Sequence, residues 1–215
     1  MILTVDIGNS RIKRALWRAG VIIDRAAAAY TVDKSMDAFD QLFLGLEKPS
    51  RVYAVCVAGD KMSRAFSEWS RRHWKFDVAY LETEKQYKNI VNAYADPGRH
   101  GSDRWAAVVA AHLMYPDASL CVIGAGTAIT FDFITKKGRH LGGYIIPSYA
   151  SMHAALLTDT ANVVSTFNNI PPAIDNVPDN TDDAVNQGLH KLLRAGVREL
   201  CRLALDKMDG PVKIV

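Results

Sequence analysis

The first thirteen residues, Met1 to Lys13, constrain the fold of this chain more than any other stretch. An apolar run from Ile2 to Val5 ends in the carboxylate of Asp6, and a tight turn containing Gly8 follows before a second, alternating run. This pattern predicts a strand, a turn and a second strand. A glycine in such a turn lets backbone amides approach an anion closely, and Asp6 beside it can hold Mg2+. The segment is therefore either a phosphate and metal corner or an ordinary β-hairpin.

The same order of elements recurs in the second part of the chain. Leu120 to Ile123 reads as a strand, Gly124 to Ala128 as a small-residue turn, and Ile129 to Thr135 as the next strand. A further strand from His140 to Ile146 and a helix from Tyr149 to Leu157 complete the series. Sequence identity between the halves is low, yet strand, turn, strand, strand and helix occur twice in that order. Strands that alternate with helices predict an α/β fold with mixed sheets.

The remaining elements are predicted from hydrophobic periodicity and from cap and turn residues. Strands are expected at four further places: Val21 to Tyr30, Arg51 to Val57 (apolar enough for a sheet covered on both faces), Phe76 to Leu81 and Pro211 to Val215. Helices are expected from a cap at Asp33 or Ser35 to Pro49, after Asp60, from a cap at Ser102 to Met114, and from a cap at Thr181. The last helix carries an apolar face that comprises Val185, Leu189, Leu192, Val197, Leu200 and Leu203. Two polar stretches read as loops, Lys85 to His100 and Asn162 to Asn180.

Composition argues against several classes of protein. Of the 215 residues, 49% are hydrophobic and 23% are charged, which is ordinary for a globular protein with a real core. A net charge of +3 with scattered basic residues argues against a nucleic-acid partner. Cys56, Cys121 and Cys201 lack metal or redox spacing and are expected to be buried, reduced thiols. The sequence shows no signal peptide and no membrane-spanning run, which predicts a cytoplasmic protein without a membrane partner.

The stretch from Tyr94 to Trp105 carries the main candidate for acid–base chemistry. Asp103 falls in the first turn of its helix, where free backbone amides and the helix dipole favour an ionised carboxylate. Such a weak base suits phosphoryl transfer, in which the attacking hydroxyl is oriented and loses its proton late. Arg104 beside it can pair with a substrate carboxylate or a phosphate oxygen. The same residue types also fit a plain helix cap at Asp103 and a surface charge at Arg104.

The second small-residue turn can bind phosphate oxygens in the same way as the first. Gly124, Gly126 and Thr127 offer backbone amides and a hydroxyl at the end of a strand. Two such turns facing each other across a cleft would hold a nucleoside triphosphate from both sides. The chain contains neither the P-loop motif nor a complete dinucleotide fingerprint, since Ile129 stands where the third glycine belongs. Asp132, further along, either assists a metal or has a structural role.

Together these segments resemble type III pantothenate kinase, a family of the acetate/sugar kinase, heat-shock chaperone and actin superfamily. The match runs in order through nearly the whole chain and comprises five motifs: Asp6 to Ser10 with Lys13, Tyr94 with Gly101 to Trp105, Gly126 to Asp132, Gly142 to Pro147, and Asn180 with Thr181. A single motif of this kind is weak evidence, whereas five in register are specific.

The resemblance implies an α/β fold of two ribonuclease-H-like (actin-like ATPase) domains, residues 1–115 and 116–215, each a mixed β-sheet flanked by helices. It implies that ATP binds between the domains and phosphorylates pantothenate to 4'-phosphopantothenate, the first step of coenzyme A biosynthesis. The family resembled uses Mg2+ with ATP and a monovalent cation, K+ or NH4+, and its members are homodimers.

The resemblance also implies roles for individual residues. Asp103 matches the proton acceptor for the pantothenate hydroxyl, and Asp6 is expected to bind Mg2+. The residues expected to bind ATP are Asp6, Ile7, Gly8, Asn9, Ser10, Arg11, Ile12, Lys13 and Thr127. The residues expected to bind pantothenate are Tyr94, Gly101, Ser102, Asp103, Arg104 and Thr181.

Two features depart from the family pattern. The family usually has an aspartate two residues before the Gly-Thr of the second turn, where it ligates the monovalent cation, and Gly124 stands there in this chain. Family chains also continue past the strand that matches Pro211 to Val215 into a glycine-rich turn that contacts adenosine. From the first departure we expect that the monovalent cation is either absent or held by carbonyl oxygens alone. From the second we expect either a truncated second domain or weakened ATP binding. A non-catalytic regulatory protein on the same fold, or a kinase of the superfamily for another small hydroxy-acid or sugar, are the alternatives.

Overall fold

A computed structural model describes residues 1–168 and 177–215, and the chain packs into two compact units. Unit 1 comprises residues 1–84 and 96–106, and unit 2 comprises residues 85–95 and 107–215. The predicted boundary after residue 115 assigns residues 85–95 and 107–115 to the first domain. In the structure, these residues pack with unit 2 instead. The assignment of residues 1–115 and 116–215 to two functional domains stays a prediction.

Unit 1 is built on a five-stranded mixed sheet. Its strands are β1 (Ile2–Ile7), β2 (Arg11–Arg18), β3 (Val21–Ala29), β4 (Arg51–Cys56) and β5 (Ala79–Tyr80), in the spatial order β3-β2-β1-β4-β5. The first three strands pair antiparallel, whereas β4 lies parallel to β1 and β5 parallel to β4. Two helices complete the core of this unit, α1 (Ser35–Phe43) and α2 (Asp60–Trp74).

The core of unit 1 forms on one face of this sheet. Leu3, Val5 and Ile7 alternate along β1 and are almost completely buried, as the period of two in a strand requires. They belong to one apolar cluster with the aromatic residues of α1 and α2. Within that cluster the ring centroids of Phe43 and Phe66 lie 5.1 Å apart, a distance at which aromatic rings attract one another beyond simple burial.

Unit 2 contains a second mixed sheet of four strands and a separate small hairpin. The hairpin is β6 (Gln86–Tyr87) with β7 (Ile90–Val91), and the sheet comprises β8 (Ser119–Ala125), β9 (Ala128–Ile134), β10 (His140–Pro147) and β11 (Val212–Ile214). The later helices are α3 (Ser102–Met114), which begins in unit 1, α4 (Tyr149–Asp159) and α5 (Thr181–Lys207). Cys121, Phe131 and Ala204 are fully buried in the core between this sheet and α5. The prediction of buried cysteines was wrong for Cys56 and Cys201, which are only half-buried.

The recurrence predicted from the sequence is present in the strand order. The second sheet runs β10-β9-β8-β11, with β8, β9 and β10 antiparallel and β11 parallel to β8. The first sheet has the same arrangement in β3-β2-β1-β4. The prediction of an α/β fold with two mixed sheets flanked by helices is therefore confirmed. Among the described residues, no helix combines the length and the apolarity needed to cross a bilayer.

The predicted boundaries of α1 were wrong at both ends. Lys34 is its N-cap, and neither Asp33 nor Ser35 caps the helix, because a short 3-10 turn precedes it. The helix ends at Phe43, well before Pro49, because Leu44 is extended and Gly45 adopts a φ of +83°, which glycine accepts without strain.

The residues predicted to cap α3 and α5 lie inside these helices. Thr181 is the first residue of α5, and the cap is Asn180, whose side chain accepts a hydrogen bond of 2.9 Å from the amide of Asp183. Ser102 likewise lies inside α3 rather than before it. The predicted apolar face of α5 holds only in part, since the side chain of Leu192 is 61% exposed.

Three shorter segments also differ from expectation. The strand expected from Phe76 to Leu81 is reduced to β5, because Phe76 is still tied to the end of α2, where its carbonyl accepts from the hydroxyl of Ser70. The expected loop from Lys85 to His100 contains the β6–β7 hairpin. Alternate residues of β4 are exposed, Tyr53 by 42%, so β4 is not covered on both faces. Part of the predicted loop Asn162 to Asn180, residues 169–176, lies outside the described residues.

Candidate active site

The turn between β1 and β2 brings a carboxylate and an amine together in unit 1. Asp6 lies opposite Lys13 in the antiparallel register, and Nζ of Lys13 donates to Oδ2 of Asp6 at 3.1 Å. The amide of Gly8 donates to the carbonyl of Arg11 at 3.0 Å and closes the turn. The side chains of Asp6 and Lys13 are 37% and 55% exposed, so both remain accessible to a ligand.

Tyr30 supports this turn from the end of β3, a contact that the sequence alone did not predict. Its hydroxyl donates to the carbonyl of Gly8 at 2.7 Å, and its amide donates to the carbonyl of Ser10 at 3.3 Å. Burial raises the pKa of the Tyr30 hydroxyl, which therefore keeps the proton it donates. The signal in the sequence is a tyrosine at the end of the strand predicted from Val21 to Tyr30.

A cavity of about 660 Å³ lies over the face of the unit 1 sheet beside this turn. Asp6 and Lys13 line it, together with Arg25 and Tyr53 from neighbouring strands. Ala106, which follows the first turn of α3, lines the same cavity. The phosphate-turn candidates and the beginning of α3 therefore reach one space within unit 1.

Asp103 occupies the first turn of α3, as predicted from the sequence. Its Oδ1 accepts a hydrogen bond of 2.7 Å from the amide of Arg104, and the amide of Trp105 donates to the carbonyl of Gly101 at 3.0 Å. A β-carbon on Gly101 would lie 2.7 Å from Oδ1 of Asp103, so this carboxylate occupies space that only a glycine leaves open. Arg104 is buried, with 6% of its surface exposed, and is not the surface charge considered above.

The turn between β8 and β9 is shorter than predicted and consists of Gly126 and Thr127. The amide of Gly126 donates to the carbonyl of Ala128 at 3.0 Å. The carbonyl of Thr127 accepts from the hydroxyl of Ser151 at 2.8 Å and from the amide of Ser148 at 3.3 Å. Because Ser148 is also the N-cap of α4, the helix and the turn are held together.

The residues around Gly124 do not fit a monovalent cation site with a carboxylate ligand. Gly124 has no side chain to coordinate with, and it lies opposite Thr130 in the β8–β9 register. A β-carbon at this position would lie 2.6 Å from Oγ1 of Thr130, so the space that a ligating side chain would enter is filled by that hydroxyl.

Tyr94 is held in unit 2 by a buried histidine. Its ring stacks on His140 with 6.3 Å between ring centroids and 7° between ring planes. Nδ1 of His140 accepts from the amide of Ala93 at 3.4 Å, and Nε2 faces Oδ1 of Asp132 at 3.0 Å. Because Nδ1 accepts from the Ala93 amide, Nε2 is the ring nitrogen that donates to Asp132. Asp132 thus holds the ring of His140 in place, and its other interpretation from the sequence, a residue that assists a metal, stays a prediction.

Thr181 lies at the exposed beginning of α5 in unit 2. The expected ligand residues therefore fall into two sets by unit. Unit 1 contains the segment from Asp6 to Lys13 and the segment from Gly101 to Arg104, and unit 2 contains Tyr94, Thr127 and Thr181.

Comparison with known proteins adds an independent observation. A family model described as type III pantothenate kinase matches residues 2–203. The type III pantothenate kinase of Nitrosococcus oceani is 32% identical over 222 aligned positions, which cover 100% of this chain and 82% of that protein. The type III pantothenate kinase of Hahella chejuensis is also 32% identical, over 93% of this chain and 80% of that protein.

A solved structure shows the same fold. A protein from Campylobacter jejuni described as a Baf family transcriptional activator superposes with a TM-score of 0.52 at 21% identity. The superposition covers 92% of this chain and 78% of that one. At this level of identity the likeness concerns the fold alone.

Proposed function

The chain belongs to the type III pantothenate kinase family, and on that premise we propose that it phosphorylates pantothenate with ATP to give 4'-phosphopantothenate, the first step of coenzyme A biosynthesis. The observation that carries this proposal is the match of the family model to residues 2–203, a range that includes every residue assigned a role below. A kinase of this family uses ATP with a divalent metal, and we propose Mg2+ as that metal.

We propose that the turn after β1 binds the phosphates of ATP. The residues of this segment are Asp6, Ile7, Gly8, Asn9, Ser10, Arg11, Ile12 and Lys13. Asp6 fits Mg2+ because it offers an exposed carboxylate, the hard oxygen ligand that this ion prefers. When bound with ATP, Mg2+ neutralises charge on the phosphates. Lys13 is placed beside Asp6 to add a positive charge, and Thr127 is proposed as a further ATP contact.

Asp103 is proposed as the proton acceptor. The hydroxyl oxygen of pantothenate forms the new bond to the γ-phosphorus while the bond from that phosphorus to the bridging oxygen of ADP breaks. The hydroxyl proton passes to the Asp103 carboxylate, and ADP leaves with the electron pair of the broken bond. A carboxylate at a helix N-terminus suits this step because the proton moves late and a strong base is unnecessary.

The remaining proposed contacts bind pantothenate. They are Tyr94, Gly101, Ser102, Arg104 and Thr181. Arg104 is suited to the carboxylate of pantothenate, because a buried guanidinium forms strong paired hydrogen bonds with such a group. No step is assigned to a monovalent cation, because Gly124 offers it no carboxylate and the hydroxyl of Thr130 fills the space that a side chain at position 124 would enter.

The test is ADP release in a coupled assay with Mg-ATP, with and without pantothenate, in K+ and again in Na+. We expect release that depends on pantothenate. Release with a different hydroxy-acid or a sugar instead would identify another kinase of the superfamily. Absence of turnover with any of them would favour the regulatory alternative. Sedimentation of the purified protein would test the predicted homodimer.

A further inference from the structure

A buried polar cluster in unit 2 contains none of the residues to which the proposed reaction assigns a role. It joins α4, the segment from Ser165 to Asn168, and the first turns of α5. His153 and Ser165 are 5% and 8% exposed, and Asn186 is 2% exposed. Burying so many polar groups is costly unless each is hydrogen-bonded, so a cluster of this kind indicates a constraint on the backbone segments it joins.

The hydroxyl of Ser165 has all its hydrogen-bonding capacity in use. It donates to Oδ1 of Asp182 at 2.8 Å and accepts from Nδ2 of Asn186 at 3.0 Å. Nε2 of His153 lies 3.2 Å from the same oxygen. Because the hydroxyl proton is given to Asp182, His153 has to be the donor in its contact. A histidine that donates cannot remove the serine proton, so this trio is not a nucleophilic triad.

Asn186 is the centre of the cluster. Its Nδ2 lies within 3.3 Å of four oxygens, among them the carbonyls of Thr166 at 3.1 Å and of Asp182 at 2.9 Å. Its Oδ1 accepts from the hydroxyl of Tyr149 and from the amide of Asn168 at 3.3 Å. One side chain thus ties α4 and the segment before residue 169 to the start of α5.

The same contacts hold the residue next to Thr181. Oδ1 of Asp182 accepts from the Ser165 hydroxyl and from the Thr166 amide at 2.7 Å, and these bonds lower the pKa of Asp182. Asn180 caps the helix on the other side of Thr181. Thr181 therefore lies between two residues whose side chains are anchored, while it is itself exposed.

We propose that Asn186 and Ser165 are positioning residues for pantothenate, because they fix the first turn of α5 and with it Thr181. This inference rests on the proposed function. A group that is already held in place loses less conformational freedom when its ligand binds. Pre-organisation therefore raises the affinity for that ligand. The effect concerns pantothenate, not ATP.

The test compares Ser165→Ala and Asn186→Asp with the wild type. Ser165→Ala removes the shared hydroxyl with little change in volume, and Asn186→Asp replaces the amide donors by a carboxylate beside Asp182. Each variant is expected to raise the KM for pantothenate about tenfold, the effect of one or two hydrogen bonds, while the KM for ATP and kcat stay within about twofold. Hydrogen exchange at residues 180–183 is expected to become faster.

The matched control is Gln187→Leu on the same helix. Gln187 is as buried as Ser165, but its Oε1 has no hydrogen-bond partner among the described residues. This variant is expected to leave the KM for pantothenate unchanged. An unchanged pantothenate KM in Ser165→Ala, or a parallel change in both KM values and in the melting temperature, would refute the positioning role. A wild type without pantothenate-dependent turnover would refute the proposed function, and the hydrogen-exchange comparison would still decide whether the cluster fixes the start of α5.

Discussion

Gly124 faces Thr130 across the β8–β9 pair so closely that a β-carbon on the glycine would lie 2.6 Å from the threonine hydroxyl. No real β-carbon tolerates that distance, so the hydroxyl has to rotate away before any side chain can occupy position 124. A carboxylate at this position would therefore have to displace the Thr130 hydroxyl before it could become a cation ligand.

The first prediction follows from this pair. Gly124→Asp is expected to increase the ratio of turnover in K+ to turnover in Na+, and Gly124→Asp combined with Thr130→Ala is expected to increase it further, because the double variant clears the space for the carboxylate. Thr130→Ala alone serves as the control and is expected to keep the wild-type ratio. Equal ratios in all four proteins would show that position 124 does not govern the response to the cation.

The second prediction concerns Asp103. Asp103→Asn is expected to lower kcat by about two to four orders of magnitude, the usual contribution of a positioned acid or base, with little change in melting temperature. Asp117→Asn, a change at an exposed position after α3, is the control and is expected to retain activity. Unchanged turnover in Asp103→Asn would leave this residue only its role in the first turn of the helix.

The third prediction concerns a variant that displaces the Asp103 carboxylate without replacing it. A β-carbon on Gly101 would lie 2.7 Å from Oδ1 of Asp103, so Gly101→Ala is expected to displace that side chain. A displacement of this size is expected to lower kcat about 100-fold, because catalytic groups tolerate little misplacement. The control is Gly196→Ala, since a β-carbon there meets nothing within 4 Å. Gly196→Ala lies inside a helix, so it is expected to raise the free energy of unfolding by about 0.5–1 kcal/mol and to keep full activity.

The fourth prediction tests the support of the first turn. Tyr30→Phe removes the hydrogen bond to the carbonyl of Gly8 and is expected to raise the KM for ATP about fivefold, the equivalent of one hydrogen bond of about 1 kcal/mol. The KM for pantothenate is expected to stay the same. Tyr87→Phe, on the exposed β6–β7 hairpin, is the control. An unchanged KM for ATP would show that the turn keeps its shape without Tyr30.

The sequence was sufficient to predict most of the helices and strands in their order along the chain, although it missed the β6–β7 hairpin. The turn after Asp6, the position of Asp103 in the first turn of its helix and the repeated strand order all depend on neighbours in the chain. These features appear as periodicity or as a short motif, and the structure confirms the strand order and the helix position.

The contacts that support the candidate site could not be predicted in the same way. Tyr30 reaches Gly8 across 22 positions of sequence, and Asn186 reaches Tyr149 across 37. A single asparagine on a polar helix face has the pattern of a solvated residue, although it is buried here. Conversely, Leu192 fits the apolar period of α5 and is exposed, because periodicity cannot tell which part of a long helix packs against the core.

The fifth prediction concerns pH and the thiol of Cys121. Burial, and then the neighbouring Cys201, raise the pKa of Cys121 from its ordinary value of 9.0 to about 12. Since the folded pKa lies above the unfolded one, the stabilisation from this group is complete below pH 9.0 and is lost as the pH rises toward about 12.

Urea unfolding at about pH 8 and about pH 11 measures this loss. The free energy of unfolding of the wild type is expected to fall more between these pH values than that of Cys121→Ala, because only the wild type has this thiol to ionise when it unfolds. The alanine variant is less stable at both pH values because it loses buried contacts, so the diagnostic quantity is the difference in slope rather than the stability itself. Parallel decreases in the two proteins would mean that the Cys121 thiol ionises with equal ease in the folded and unfolded states, contrary to its burial against Phe131 and Ala204.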